Sequence, residues 1–150
     1  MLGGGEVRLL DLVSAYGVFA TEGQRIPPVS VLKTEDDQRN VIQENTNTPI
    51  RILSPEPTRL ITSILSDNEA RTPVFGANSP LYFPGRQVAV KTGTTQDYRD
   101  GWIIGYTPTI VAGVWVGNND NSPMNKEPGV VAAGPIWHEF MQGAFTYVTP

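Results

Sequence analysis

Lys91, Thr92, Gly93 and Thr94 put a cation, two hydroxyls and a position without a side chain into four consecutive places, at the end of an apolar run that starts at Val88. At the end of a strand this combination suits an anionic group. An ammonium and two hydroxyls can make charge-assisted hydrogen bonds to a carboxylate, and glycine lets a ligand approach the backbone. A backbone N–H in the same stretch can also receive an oxyanion. Each residue has an ordinary explanation as well, since lysine guards exposed sheet edges and threonine is a good strand former, so Lys-Thr-Gly by itself specifies little.

The surrounding sequence supplies elements to hold these residues. Val88 and Val90 lead into the motif, "GWIIGYT" (101–107) and "TIVAGVWVGN" (109–118) are near-continuous apolar runs, and Pro108 marks a short turn between them. They predict three sequential antiparallel strands that need cover on both faces. Leu9, Val13, Tyr16 and Ala20 recur at helical spacing and stop near Gly23, which predicts an amphipathic helix. A second helix is expected from Ser54 as N-cap, with Pro55 at its first position, Glu56 in its first turn and Leu60, Ile61, Ile64 and Leu65 on its buried face. "GPIWHEFMQGAF" (134–145) predicts a third helix. Between the first two, apolar patches around Val31 and Val41 flank the turn-rich "TEDDQRN" and predict a small surface hairpin. The expected fold class is α+β, with helices packed on an antiparallel sheet.

Composition narrows the chemistry. The 150 residues suit one domain, and 39% hydrophobic content is enough for a packed core. Fifteen acidic against eleven basic residues give a net charge of -4, and the basic residues are scattered singly, so no nucleic-acid partner is expected. Cysteine is absent and His138 is the single histidine, so neither a metal nor a cofactor is expected. His138 falls within a helical segment and reads as a solvent-facing or capping side chain. No apolar run reaches the ~18 residues of a membrane span, and the start of the chain lacks a basic segment followed by an apolar one.

Residues 88–120, "VAVKTGTTQDYRDGWIIGYTPTIVAGVWVGNND", closely resemble the last active-site motif and following strands of the transpeptidase domain of class A penicillin-binding proteins. "LGGGEVRLLDLVSAYGVFATEG", "SVLKTEDD", "LITSILSDNEARTPVFG" and "AAGPIWHEFM" are similar to segments of that family in the same order, so the resemblance covers essentially all 150 residues. It implies a partial β-lactamase-like transpeptidase fold. It also implies cross-linking of peptidoglycan stem peptides by acyl transfer through a serine ester, the same serine being acylated by β-lactams. Lys91 would then help position a second-motif serine and the substrate's terminal carboxylate, Thr92 and Thr94 would bind that carboxylate, and the Thr94 N–H would form half of an oxyanion hole. The implied location is the outer face of the bacterial cell membrane.

The family also needs an S-x-x-K nucleophile motif and a second serine motif with an asparagine two residues on. "SVLK" at Ser30–Lys33 and "SDN" at Ser66–Asn68 match these strings in the right order. Both are expected to be coincidental. On a strand Ser30 and Lys33 point to opposite faces, whereas the chemistry needs a helix to fold lysine onto serine. Separations of 36 residues from Ser30 to Ser66 and 25 from Ser66 to Lys91 are far shorter than those of the family. Residues 1–150 are therefore expected to be the C-terminal portion of a transpeptidase domain, lacking the nucleophile helix and second serine motif and needing the upstream half as partner. The alternative is a noncatalytic carboxylate-binding or strand-docking module.

Overall fold

The computed structural model describes residues 5–148. Its elements run α1 (Leu9–Ala20), β1 (Gln24–Arg25), β2 (Lys33–Glu35), β3 (Val41–Glu44), β4 (Ile50–Arg51), α2 (Pro55–Ser66), α3 (Asn68–Phe75), β5 (Ala89–Thr94), β6 (Asp100–Tyr106), β7 (Val111–Gly117), α4 (Gly129–Ala132) and α5 (Gly134–Ala144). The fold is α+β. Strands β5, β6 and β7 form the expected antiparallel sheet in that order, and β1 with β4 and β2 with β3 form two small outlying ladders.

Register assigns the faces of the sheet, because residues opposite one another share a face and neighbours along a strand alternate. Lys91, Ile104 and Gly113 lie in line, as do Gly93, Trp102 and Trp115, and these belong to one face. Thr92, Ile103 and Val114, and Thr94, Gly101 and Val116, belong to the other. α1 covers part of the first face. A Cβ on Gly113 would meet Val13 and Leu9 of α1, so the glycine is the hollow into which that helix settles.

The second face is closed by α5. The fully buried indole of Trp137 lies over Gly105, where a Cβ would collide with its ring, and its Nε1–H donates to the Ala112 carbonyl at 3.1 Å. Leu81, Phe83, Val88, Val90, Ile103 and Met141 complete the core around it. His138 also packs here, which corrects the solvent-facing or capping expectation. Its ring stacks on Phe83 at 4.3 Å between centroids, and Nδ1 lies 2.8 Å from the Pro80 carbonyl. Because that carbonyl can only accept, Nδ1 carries the proton.

Two other expectations need correction. The long helical segment after Ser54 is broken at Asp67, whose carboxylate accepts the Ala70 N–H at 2.9 Å and starts α3. In α2 the apolar stripe is not the buried one: Leu60, Ile61 and Ile64 are exposed, and the buried side chain is Thr58. The threonine face permits close approach to the rest of the fold. Thr58 and Thr62 hydroxyls bond back to the Pro55 and Thr58 carbonyls at 2.6 and 2.9 Å, and Thr62 shares a 2.9 Å hydrogen bond with the Tyr106 phenol. The hairpin was anticipated, although β2 starts at Lys33 rather than near Val31, and the β1–β4 pairing has no clear signal in two such short segments.

The packing of Trp137 makes the first prediction. Gly105→Ala has no free volume to occupy, so it should destabilise the chain by about 1–3 kcal/mol, the usual range for overpacking a filled core. Urea unfolding followed by tryptophan fluorescence measures it, and an unchanged midpoint would contradict the close packing of Trp137 on β6.

Candidate functional site

The four residues singled out in the sequence lie together on β5, an outer strand with β6 on one side and no neighbour on the other among the described residues. Backbone direction follows from one hydrogen bond. The Thr95 N–H donates across the hairpin to the Asp100 carbonyl at 3.1 Å, and amides alternate sides along a strand. The main-chain groups of Thr92 and Thr94 therefore open on the free edge. They border a cleft of about 1010 Å³ lined by Lys91 to Thr94 and by Tyr16, Trp102 and Trp115, among others.

The side chains divide between the two faces. Lys91 is exposed on the cleft face and makes no ion pair among the described residues; its ammonium bends over the strand edge and donates to the Thr92 carbonyl at 2.5 Å. Thr92 and Thr94 point to the opposite face, so their hydroxyls reach a ligand only where it lies along the edge itself. The Thr94 hydroxyl oxygen accepts the N–H of buried Gly129 at 2.8 Å, and its own proton is still free to donate. A Cβ on Gly129 would collide with the Gly93 carbonyl, so α4 sits directly on this end of β5. On the cleft side, Tyr16 has its phenol pKa raised by burial and stays a neutral donor at ordinary pH.

Beyond Thr94 the chain turns sharply. Asp97 and Tyr98 both hold positive φ, 59° and 55°, uncommon for any residue but glycine and more so for a bulky aromatic one. Asp100 closes this turn. Its carboxylate accepts the Thr95 hydroxyl at 2.9 Å and the Trp115 indole N–H at 2.7 Å, and its own N–H donates to the Thr95 hydroxyl oxygen at 2.9 Å. Trp115 in turn meets Trp102 edge to face, 6.4 Å between centroids. Sequence reasoning missed Asp100, Trp102 and Trp115 as parts of the cleft. An aspartate after a turn reads as turn chemistry and tryptophans in apolar runs read as core. The available signal was alternation, since Trp102 stands in register with Gly93 on the face of Lys91.

Ser30 and Ser66 do not line the cleft. Ser30 sits in an exposed bend ahead of β2, and Lys33 pairs with Glu35 at 2.7 Å instead of folding onto it. Ser66 is the last residue of α2; its hydroxyl donates to the Ser63 carbonyl at 3.3 Å and accepts the Gln87 amide at 2.8 Å. Neither arrangement activates a serine. Among the described residues no group of three His, Cys, Asp or Glu side chains could hold a metal ion, and no helix is long and apolar enough to cross a membrane.

Helices on a sheet whose outer strand carries Lys-Thr-Gly-Thr beside an open cleft define an α+β penicillin-binding type of fold, and comparison with known proteins agrees. The family model for the penicillin binding protein transpeptidase domain matches residues 4–142. The chain belongs to that family and resembles its class A members. It is 36% identical over 143 residues to penicillin-binding protein 1A of Aquifex aeolicus, covering 94% of this chain and 19% of that protein. It is 31% identical over 148 residues to penicillin-binding protein 2D of Bacillus subtilis, covering 95% and 21%. The chain thus spans about a fifth of the length of these curated relatives. Among solved structures, it superposes on PonA1 of Mycobacterium tuberculosis with a TM-score of 0.77 at 28% identity, over 95% of this chain and 39% of that one. The D,D-transpeptidase domain of a peptidoglycan glycosyltransferase from Eggerthella lenta shares the fold, with a TM-score of 0.73 at 20% identity over 96% and 33%.

The contact between Thr94 and Gly129 carries a prediction. Thr94→Val preserves shape but leaves the buried Gly129 N–H without an acceptor, which should cost about 1–3 kcal/mol, while Thr94→Ser should cost less than half as much. Paired urea melts test this, and equal stability of Val and wild type would remove the hydrogen bond from the account.

Proposed function

We propose that this chain is the C-terminal portion of a peptidoglycan D,D-transpeptidase domain, contributing the substrate-binding edge strand to an active site whose nucleophile lies in the upstream half. The observation that carries this reading is the free edge of β5, with Lys91 and the Thr92 and Thr94 main-chain groups bordering one cleft. A stem peptide would lie along that edge as an added strand, its terminal carboxylate near the Lys91 ammonium and the Thr92 and Thr94 hydroxyls. A serine from the upstream half would attack the scissile carbonyl, forming an ester as the amide bond breaks and the terminal residue leaves as its amine with the serine proton. The Thr94 N–H would receive part of the charge that develops on the carbonyl oxygen. β-Lactams would acylate the same serine. The whole protein would act at the outer face of the bacterial cell membrane.

A noncatalytic carboxylate-binding or strand-docking module draws on the same unpaired edge. It differs in needing no serine, so acylation separates the two readings.

Two outcomes are expected. Incubated alone with a fluorescent penicillin and then denatured, the chain should carry no covalent label; co-expressed with the upstream half of a family transpeptidase, the assembly should label. Labelling of the isolated chain that Ser30→Ala abolishes would overturn the proposal. In the labelled assembly, Lys91→Ala should reduce the acylation rate by roughly 100-fold or more, the order of loss for a group that stabilises a transition state. The melting temperature should hardly change, because the exposed ammonium has only its hydrogen bond to the Thr92 carbonyl to lose. A parallel loss of stability and rate would mark Lys91 as structural.

A further inference from the structure

Asp100 touches all three strands of the sheet at the end where the cleft lies. It opens β6, it binds Thr95 immediately after β5 through both its carboxylate and its N–H, and it binds the indole of Trp115 in the middle of β7. Each carboxylate oxygen has its own partner, one accepting from Thr95 and the other from Trp115. The turn being closed is one the backbone resists, with Asp97 and Tyr98 at positive φ, and such a conformation persists only where its surroundings determine it.

We infer that Asp100 is a positioning residue for the edge-strand site, clipping the end of β5 so that the Thr94 N–H faces the free edge and holding the Trp115 indole along the cleft. This rests on the function proposed above. The geometric reason is adjacency. Thr94 is bonded to Thr95, whose N–H, hydroxyl hydrogen and hydroxyl oxygen are all engaged by Asp100. With those three contacts in place, the peptide plane between Gly93 and Thr94 has little freedom to rotate. Two of the three come from the Asp100 main chain, so what the carboxylate adds is the Thr95 hydroxyl contact and the Trp115 anchor. Without these the strained turn is held less firmly, and the first group to lose its direction is the amide nearest the turn on the edge side. Trp115 is held in the same way, since its N–H has the Asp100 carboxylate as partner and its ring lies against Trp102. Asp100 itself need not touch a ligand.

A carboxamide can imitate this clip. In Asp100→Asn the side-chain oxygen still accepts the indole N–H, and the amide nitrogen can donate to the Thr95 hydroxyl oxygen, whereas Asp100→Ala loses both. The experiment uses the full 150-residue chain, labelled with nitrogen-15, with the Trp115 indole resonance assigned from Trp115→Phe. In Asp100→Ala the Trp115 indole proton and the amides of Gly93 and Thr95, whose N–H groups face β6, should exchange at least about tenfold faster, while amides of α1 and α5 stay protected. Asp100→Asn should stay within about threefold of wild type. Thr95→Val should loosen the β5 end and leave the Trp115 indole in place, and it keeps the idea testable should the alanine variant fail to fold.

Titration with a short peptide ending in two D-alanines then reads the site. Affinity should fall about tenfold in Asp100→Ala and within about threefold in Asp100→Asn, the ordering expected when geometry rather than charge is lost. Unchanged exchange at the Trp115 indole and at the Gly93 and Thr95 amides in the alanine variant would overturn the inference. So would uniform loosening of the whole chain, which would make Asp100 an ordinary stabilising residue, or equal loss of affinity in Asn and Ala, which would mean that the charge itself is needed. A wild-type chain that shows the predicted exchange pattern but ignores the peptide would count against the proposed function and leave the clip standing.

Discussion

Among the described residues β5 hydrogen-bonds to β6 on one side only, and strand alternation then decides where each of its residues points. Main-chain groups at Thr92 and Thr94 are left open to an incoming strand, and side chains at Lys91 and Thr92 are sent to opposite faces. A one-residue slip of β5 against β6 would exchange the two sets. Lys91 would then be driven into the buried face beside Trp137, and the open amides would belong to Lys91 and Gly93. Correct register of one hairpin is therefore the condition on which the candidate site stands.

Register is secured by size as much as by hydrogen bonds. Trp137 needs a position without a side chain beneath it, and Gly105 supplies one opposite Val90. α4 needs another, and Gly101 provides it on the same face, nearer the turn: a Cβ there would press on Gly129 and Ala132, and a Cβ on Gly129 would collide with the Gly93 carbonyl. On the cleft face Gly113 admits α1. A one-residue shift of β6 beneath α5 would put Ile104 or Tyr106 where Trp137 rests on Gly105. Because interiors are packed close to crystalline density, such a mismatch has no room to be absorbed.

Much of this was legible in the sequence, for identifiable reasons. α1 follows from the spacing of Leu9, Val13, Tyr16 and Ala20, and the three-stranded sheet from long apolar runs punctuated by Pro108. The Lys-Thr-Gly-Thr cluster stood out because those residue types suit one kind of ligand, and the structure places all four together on the outer strand. The failures share a cause: periodicity says that a face is apolar without saying which neighbour covers it. The α2 stripe at Leu60, Ile61 and Ile64 has the pattern of a buried face and lies exposed, while Thr58 and Thr62, polar by composition, carry the contact. His138 was misread for the complementary reason, since a polar ring can pack half-buried against the core once a carbonyl such as that of Pro80 satisfies its N–H. Asp100 was beyond single-sequence reasoning. Its partner Trp115 is fifteen residues away, and only the fold brings them together.

The contact between the Lys91 ammonium and the Thr92 carbonyl bears on how an edge site of this kind works. A strand added along β5 would need that carbonyl as an acceptor, and a carboxylate would need that ammonium as a counter-charge; in the structure each of these groups is the other's partner. The mutual contact is weak, because the lysine is exposed and water competes for both groups; exposed charge-assisted contacts contribute about 1 kcal/mol or less. A peptide ending in a carboxylate replaces one such contact with two, a main-chain hydrogen bond to the Thr92 carbonyl and a charge-assisted bond to Lys91. A ligand offering only a strand, or only a negative charge, gains one of them and leaves the displaced partner to water. Under the proposed function, Lys91 and the Thr92 carbonyl together would favour ligands that carry both features at the right separation, and this discrimination would arise within β5 itself, from two adjacent residues and the direction of one peptide group.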